Sequence, residues 1–207
     1  MILHDYPRSS AAYRVRIALA LKGLAFTAIP VNLLAGEQAG DANRAVNPQG
    51  LVPTLETDGL TLTQSLAIIQ WLDDTHPEPR LIPADPDARA ACWARALVVA
   101  ADIHPVNNLR ILNALTDRFG ADDAARQDWM RHWMAEGFDA LEIMAGDTPF
   151  LGGTAPDLSD CCLTPQVYNA RRWGLALDRW PRLARADAAM RAIPAVAAQA
   201  PEAVAAA

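Results

Sequence analysis

The sequence predicts a small α/β domain followed by an all-helical one, and three observations predict it. Up to about Asp74 the apolar pattern changes every few residues, as it does where short strands and short helices alternate. Between His76 and Pro86 proline and polar residues crowd together, which marks an ordered, stiff linker. Beyond it apolar residues recur at helical spacing almost to the end.

Residues 1–4 read as a short buried strand. Residues 13–22 read as a helix in which Val15, Ile17, Ala18, Leu19 and Leu21 give a broad apolar surface. Gly23 follows its last turn, where a left-handed residue ends a helix. Residues 26–31 read as a second strand, and residues 51–56 and 60–62 flank Asp58-Gly59, a strong hairpin signal. Ser65 is placed to cap the next helix, which carries Leu66, Ile69 and Leu72 along one face. The expected order is β-α-β, an irregular stretch, then β-β-α, and the crossover from strand through helix to strand suggests a mostly parallel sheet.

After the linker, Asp87 starts an amphipathic run to about Phe119, bent near Pro105. Residues 122–144 form a second helix with Trp129, Trp133, Phe138 and Leu141 on it. Asp157-Leu158-Ser159-Asp160 has the form of a capping box with Asp at both capping positions. Pro165 lies close enough to that start to be tolerated, and Pro181 and Pro194 each suit the first turn of a further helix. Residues 203–207 read as a frayed low-complexity tail.

The chain has 207 residues and a formal net charge of −6, which argues against a protein that wraps nucleic-acid backbone. Small anions stay open. Lys22 is the single lysine, so nearly all positive charge sits on arginine, the side chain suited to forked recognition of carboxylates. Cys92, Cys161 and Cys162 form no CxxC and cannot all pair, which points to a reducing, cytoplasmic setting. The first residues lack the basic region and apolar stretch of a signal peptide, and no apolar run approaches the roughly 18 residues of a membrane span. His4, His76 and His132 have no ligand spacing with one another or with acids, so no metal is expected; no P-loop and no GxGxxG occurs.

Three segments carry the chemistry. Arg8-Ser9-Ser10-Ala11-Ala12-Tyr13-Arg14-Val15-Arg16 places two hydroxyls at a helix start, where free N–H groups and the helix dipole hold an anion and lower the pKa of a thiol. The same serines also read as simple helix caps. Asn47-Pro48-Gln49-Gly50-Leu51-Val52-Pro53-Thr54-Leu55 puts a proline where a strand begins. Leu62-Thr63-Gln64-Ser65 places an amide and a hydroxyl at the start of another helix, a second anion pocket.

These segments resemble the zeta class of the cytosolic glutathione S-transferases, the class that includes maleylacetoacetate isomerase. The zeta signature Ser-Ser-Cys-x-Trp-Arg-Val-Arg-Ile-Ala-Leu is met by Ser9-Ser10-Ala11-Ala12-Tyr13-Arg14-Val15-Arg16-Ile17-Ala18-Leu19. Further matches are the Asn-Pro-x-x-x-Val-Pro-x-Leu stretch, Gln64-Ser65, Asp157-Leu158-Ser159-Asp160, and Thr164-Pro165-Gln166-Val167-Tyr168-Asn169-Ala170-Arg171-Arg172. They extend from about residue 3 to residue 196.

The resemblance implies the cytosolic glutathione transferase fold: an α/β thioredoxin-like domain over residues 1–78 that binds glutathione, a linker over 79–87, and an all-α substrate-binding domain over 88–207, assembled as a homodimer. It implies that the Ser9 hydroxyl stabilises the glutathione thiolate and that Ser10 and Arg14 belong to the same binding loop. It further implies that Gln38 contacts glutathione, that a cis Val52-Pro53 bond aims the Val52 backbone at the cysteinyl backbone, and that Gln64 and Ser65 hold the γ-glutamyl end. His104, Asn108 and Arg110 fall in the helical-domain stretch facing the cleft, and Arg8, Arg110 and Arg172 are the basic set for substrate carboxylates. Ala11 replaces the signature cysteine and Tyr13 the tryptophan. Because the attacking sulfur belongs to glutathione, loss of that cysteine need not abolish activity.

The implied activity is a glutathione-dependent cis–trans isomerase of maleylacetoacetate, working by thiolate addition, bond rotation and elimination in aromatic amino-acid (tyrosine) breakdown. The alternatives are a maleylpyruvate isomerase of gentisate catabolism, a transferase that conjugates or dehalogenates small electrophiles, and a glutathione-binding protein without turnover.

Overall fold

The computed structural model describes residues 1–205. It divides into two compact units, one from Met1 to Ile82 that also takes in residues 191–205, and one from Pro83 to Met190.

In the first unit β1 (Ile2–Asp5) leads into α1 (Ser10–Leu21), which ends at Lys22 and Gly23, the glycine at φ +65°. β2 (Thr27–Pro30) pairs parallel with β1, Leu3 opposite Ala28. A short 3-10 turn (Glu37–Ala39) and α2 (Asp41–Val46) follow. β3 (Thr54–Thr57) and β4 (Leu60–Thr63) are joined through Asp58 and Gly59, both at positive φ as an Asp-Gly hairpin requires. α3 (Ser65–Thr75) closes the series and packs against α1. Leu3, Val15, Ile17, Leu19, Leu55, Ile68, Ile69 and Leu72 are fully buried and form the core of this unit.

The sheet order is β2-β1-β3-β4. Only β1–β2 is parallel; β1–β3 and β3–β4 are antiparallel, which corrects the expectation of a mostly parallel sheet. A crossover helix commits one pair of strands, and the hairpin commits β4 to run against β3. The stretch expected to be irregular contains α2, whose six residues, Asp-Ala-Asn-Arg-Ala-Val, are too few and too polar to show a period.

The single lysine is buried in this unit. Lys22 Nζ donates to Asp73 at 2.8 Å and to the carbonyls of His76 and Pro79 at 2.8 and 2.9 Å, which uses all three ammonium protons. Asp73 in turn accepts from the N–H groups of Leu81 and Ile82 at 2.7 and 3.1 Å. The expected linker is therefore partly core, with Leu81 and Ile82 only 2% and 3% exposed. The unit runs past the expected boundary at residue 78 for this reason.

In the second unit α4 (Pro86–Leu97) is capped by Asp85, whose carboxylate accepts from Ala88 N–H at 2.8 Å. The run expected to bend near Pro105 passes through a π-helical turn before that proline without leaving the helix and is broken only after it, at Asn107 and Asn108. A π-helical turn (Val98–Ile103) precedes the one-turn α5 (His104–Val106), and α6 (Leu109–Phe119) restarts from Asn108. α7 (Asp123–Met144), capped by Asp122, packs against the π turn. A Cβ on Gly137 would lie 2.3 Å from the Ile103 side chain, so only glycine admits that approach. α8 (Leu158–Arg172) begins in the capping box, with both reciprocal bonds formed, and packs against α4. α9 (Pro181–Arg191) completes the unit.

The chain then returns to the first unit as α10 (Pro194–Ala197), packed against α1, and α11 (Pro201–Ala205). Residues from Arg191 on thus group away from the helical domain to which the sequence had assigned them. Of the expected frayed tail, residues 203–205 are helical and Ala206 and Ala207 lie outside the described residues. Among the described residues no helix is long and apolar enough to cross a membrane.

Candidate active site

Asp5 ends β1, Ser9 caps α1, and three residues turn the chain between them. Ser9 N–H donates to the Tyr6 carbonyl at 2.8 Å. Arg16 reaches back from α1, placing Nη1 on both oxygens of Asp5 and Nη2 on the Pro7 carbonyl at 2.9 Å. Burial raises the Asp5 pKa, and the Arg16 charge pulls the other way.

Ser9 has extended dihedrals, φ −71° and ψ 112°, and its Oγ accepts from Ala12 N–H at 3.2 Å. A hydroxyl has two lone pairs and one proton, so capping occupies a lone pair and leaves the O–H to donate. The same hydroxyl can therefore cap the helix and still donate to an anion. Tyr13 N–H goes to the Ser9 carbonyl, while among the described residues the N–H groups of Ser10 and Ala11 donate to nothing. One hydroxyl and two unused N–H groups thus occupy the positive end of α1.

The Val52-Pro53 bond is cis. Val52 is 9% exposed, yet among the described residues nothing hydrogen-bonds its N–H or C=O. Buried backbone groups are almost always paired, so these two are suited to an extended ligand lying alongside. The loop before them is fixed by Asn47, whose Nδ2 donates to Leu51 O at 2.9 Å and whose Oδ1 accepts from Gln49 N–H at 3.0 Å. Gly50, at φ +65°, lies so close to Gln38 that a Cβ would stand 3.1 Å from the Gln38 carbonyl oxygen. Gln38 itself is half-buried in the 3-10 turn, and its Oε1 is buried with no hydrogen-bond partner among the described residues.

Gln64, not Ser65, is the N-cap of α3, which corrects the sequence reading. β4 ends at Thr63 and α3 begins at Ser65, so Gln64 alone turns the chain, at φ +67° and ψ 113°. Such dihedrals cost a non-glycine residue on the order of 1–3 kcal/mol and tend to be kept where a site needs them. Its side chain makes no cap; Nε2 donates to Gln49 Oε1 at 2.8 Å. Gln49 is a neighbour that sequence reasoning passed over, because nothing in its spacing ties it to a residue 15 positions on. Ser65 is 5% exposed and accepts from Arg14 Nη1 at 3.2 Å; Arg14 is 2% exposed.

In the second unit His104 is half-buried on α5. Asn108 is the N-cap of α6, its Oδ1 accepting from Ile111 N–H at 3.2 Å. Arg110 lies exposed in the first turn of α6 and Arg172 exposed at the end of α8. Among the described residues the side chains of four arginines, Arg8, Arg110, Arg118 and Arg172, have no hydrogen-bond or ion-pair partner. Three of the four are the basic set assigned above to substrate carboxylates.

The protein's own sulfurs are withdrawn from chemistry. All three cysteines are buried and none is in a disulfide. Burial, with Asp157 nearby, pushes the Cys92 thiol up to about 12, and burial beside Cys162 raises Cys161 well above its ordinary value. His4 pairs with Glu56 at 2.5 Å, while His76 and His132 stand edge-on to Trp71 and Trp133. Among the described residues no group of three His, Cys, Asp or Glu could hold a metal ion.

Residues 3–80 match the glutathione S-transferase N-terminal domain. The chain is 48% identical over 206 residues to a probable maleylacetoacetate isomerase of Vibrio cholerae, covering 98% of this chain and 96% of that protein. Its structure is similar, at a TM-score of 0.95 and 43% identity over 98% of both chains, to the holo structure of a maleyl pyruvate isomerase described as a bacterial zeta-class glutathione S-transferase. It is also similar to a maleylacetoacetate isomerase of Anaeromyxobacter dehalogenans 2CP-1 solved with glutathione in its active site, at TM-score 0.88 and 43% identity over 98% of this chain and 95% of that one. The same protein solved with dicarboxyethyl glutathione and citrate gives a TM-score of 0.86 at 43% identity, over 97% and 94% of the two chains.

Proposed function

The chain belongs to the zeta class of the glutathione S-transferases, of the maleylacetoacetate and maleylpyruvate isomerase type, and from that premise we propose that it turns a maleyl-type dicarboxylic keto acid from cis to trans, maleylacetoacetate foremost, with glutathione as cofactor. The residues present fit that cofactor. Among the described residues the N–H and C=O of the buried Val52 are unpaired and open to an extended peptide, and the buried amide oxygen of Gln38 has no donor. Bound there, glutathione supplies the sulfur that adds to the double bond and leaves once that bond has turned. Addition and departure replace one high rotational barrier with two lower ones.

The chain's residues divide the remaining work. Ser9 donates its hydroxyl to the ionised sulfur, and the N–H groups of Ser10 and Ala11 add partial positive charge at the same helix end. Val52 holds the peptide as a neighbouring strand would. Gln64 and Ser65, at the start of α3, take the γ-glutamyl end, Gln38 makes a further contact with the tripeptide, and Pro53 keeps the Val52 backbone turned toward it. His104 and Asn108 remain assigned to cofactor contact. Arg8, Arg110 and Arg172, with no side-chain partners among the described residues, bind the substrate's carboxylates and the negative charge that develops on its conjugated carbonyl.

The observation that carries this reading is the Ser9 hydroxyl, which caps with a lone pair and keeps its proton, beside two unused N–H groups, in a protein whose own thiols are buried. The dicarboxyethyl glutathione bound by the Anaeromyxobacter protein supports sulfur addition to an unsaturated diacid. Maleylpyruvate is the second reading, favoured by the likeness to the maleyl pyruvate isomerase structure. Initial rates on both acids, with and without glutathione, decide the matter. Turnover in which glutathione is regenerated supports isomerisation, its consumption would indicate conjugation or dehalogenation, and turnover without it would contradict the mechanism. A homodimer in the cytoplasm, acting in aromatic catabolism, completes the proposal; sedimentation of the purified protein checks the dimer.

A further inference from the structure

We infer that Arg14 is a positioning residue: by donating to Ser65 Oγ it commits the Ser65 hydroxyl to donate outward, to a carboxylate at the start of α3. The inference rests on the glutathione reading above and adds a residue that acts through another.

A guanidinium carries five N–H donors and no acceptor, so in the 3.2 Å contact the serine oxygen can only accept. Ser65 makes no other side-chain hydrogen bond among the described residues, which leaves its O–H to point elsewhere. Ser65 is also the first helical residue of α3, where N–H groups without intrahelical partners face the same way. A carboxylate, which only accepts, suits that arrangement, whereas an ammonium does not. The Arg14 charge stands behind the serine, buried, and strengthens the site for an anion without occupying its surface.

The placement has a second consequence. Ser9 and Arg14 lie on α1, and Ser65 lies on α3, packed against it. One helix therefore holds the sulfur at its start and, a turn later, supports the γ-glutamyl end of the tripeptide. The spacing between the sulfur and that end is set by the packing of α1 on α3 in the unit's core.

The test compares wild type, Arg14→Met, Arg14→Lys, Ser65→Ala and Arg14→Met/Ser65→Ala by calorimetric binding, with melting temperature and kcat followed in parallel. The probes are glutathione and the analogue γ-aminobutyryl-Cys-Gly, which lacks the α-carboxylate. Arg14→Met weakens glutathione binding about tenfold, as loss of support for a charge-assisted hydrogen bond does. It leaves binding of the decarboxylated analogue within about twofold, lowers kcat less than it raises Kd, and adds little to Ser65→Ala. Arg14→Lys restores part of the loss, and if Arg14→Met does not fold, Arg14→Lys shows the same selectivity for the carboxylate at smaller size. Equal losses for both peptides, or additive losses in the double variant, would overturn the inference. Wild type that fails to bind glutathione would instead overturn the cofactor reading, so the two failures are distinct.

Discussion

Arg16 Nη1 donates to both carboxylate oxygens of Asp5, at 2.5 and 2.7 Å, with both residues buried. Its other terminal nitrogen holds the Pro7 carbonyl, so the turn that presents Ser9 is tied to the helix it precedes. Arg16→Met leaves Asp5 buried without its cation and is expected to cost about 3–5 kcal/mol in urea unfolding. Adding Asp5→Asn recovers part of that loss, because burial already disfavours the charged form of Asp5. Equal stability of Arg16→Met and wild type would refute this account of the turn.

The unpaired arginines give a graded prediction. Arg172→Gln is expected to raise KM for the maleyl acid about tenfold or more while leaving the Kd for glutathione unchanged. Arg118→Gln, at the unpaired arginine given no role, leaves both constants unchanged. Equivalent effects of the two substitutions would remove the case for Arg172.

The thiols are expected to be silent. With Cys92 held near 12 and Cys161 raised as well, a thiol reagent at pH 7.5 modifies the folded protein only as fast as it opens. Cys92→Ala keeps its turnover per folded molecule. Rapid labelling with parallel loss of activity would mean that one of these sulfurs takes part.

Asp160 predicts a pH dependence of stability. Burial and the neighbouring Asp157 carboxylate raise its pKa from 3.8 to about 7. The folded protein then keeps a proton that the unfolded chain has lost, so stability falls as pH rises from about 4 to about 7 and is fully present only below that window. Asp160→Asn cannot titrate, so its stability declines less across the same range, and parallel pH profiles for variant and wild type would contradict the assignment. The substitution also weakens the capping box, because Asp160 accepts from Leu151 N–H at 2.9 Å and from Asp157 N–H at 3.0 Å.

The two-unit pattern, the Asp-Gly hairpin, the Asp157–Asp160 box and the proline-led helices were legible because each depends on residues a few positions apart. What escaped the sequence depends on contacts across the fold. Ser65 has the better capping propensity, but β4 leaves only Gln64 to make the corner, and that geometry decides the cap. Lys22 reads as an oddity of composition until Asp73, 51 residues later, is found against it. Asn108 lay in a stretch assigned by resemblance to the cleft, and the break in the helix gives it a capping duty that spacing did not reveal. Of the site, the two helix starts were visible as sequence; the Gln49–Gln64 and Arg14–Ser65 bonds were not.

The proposed function requires the Ser9 hydroxyl to lower the pKa of the glutathione sulfur. Titrating the thiolate absorbance of protein-bound glutathione in wild type and in Ser9→Ala measures that shift. The account predicts a bound thiol more acidic than the free tripeptide in wild type and a rise of about one unit in Ser9→Ala, worth about 1.4 kcal/mol, with Kd largely kept and turnover about 100-fold slower. The same pKa in both proteins, whatever the change in rate, would contradict it.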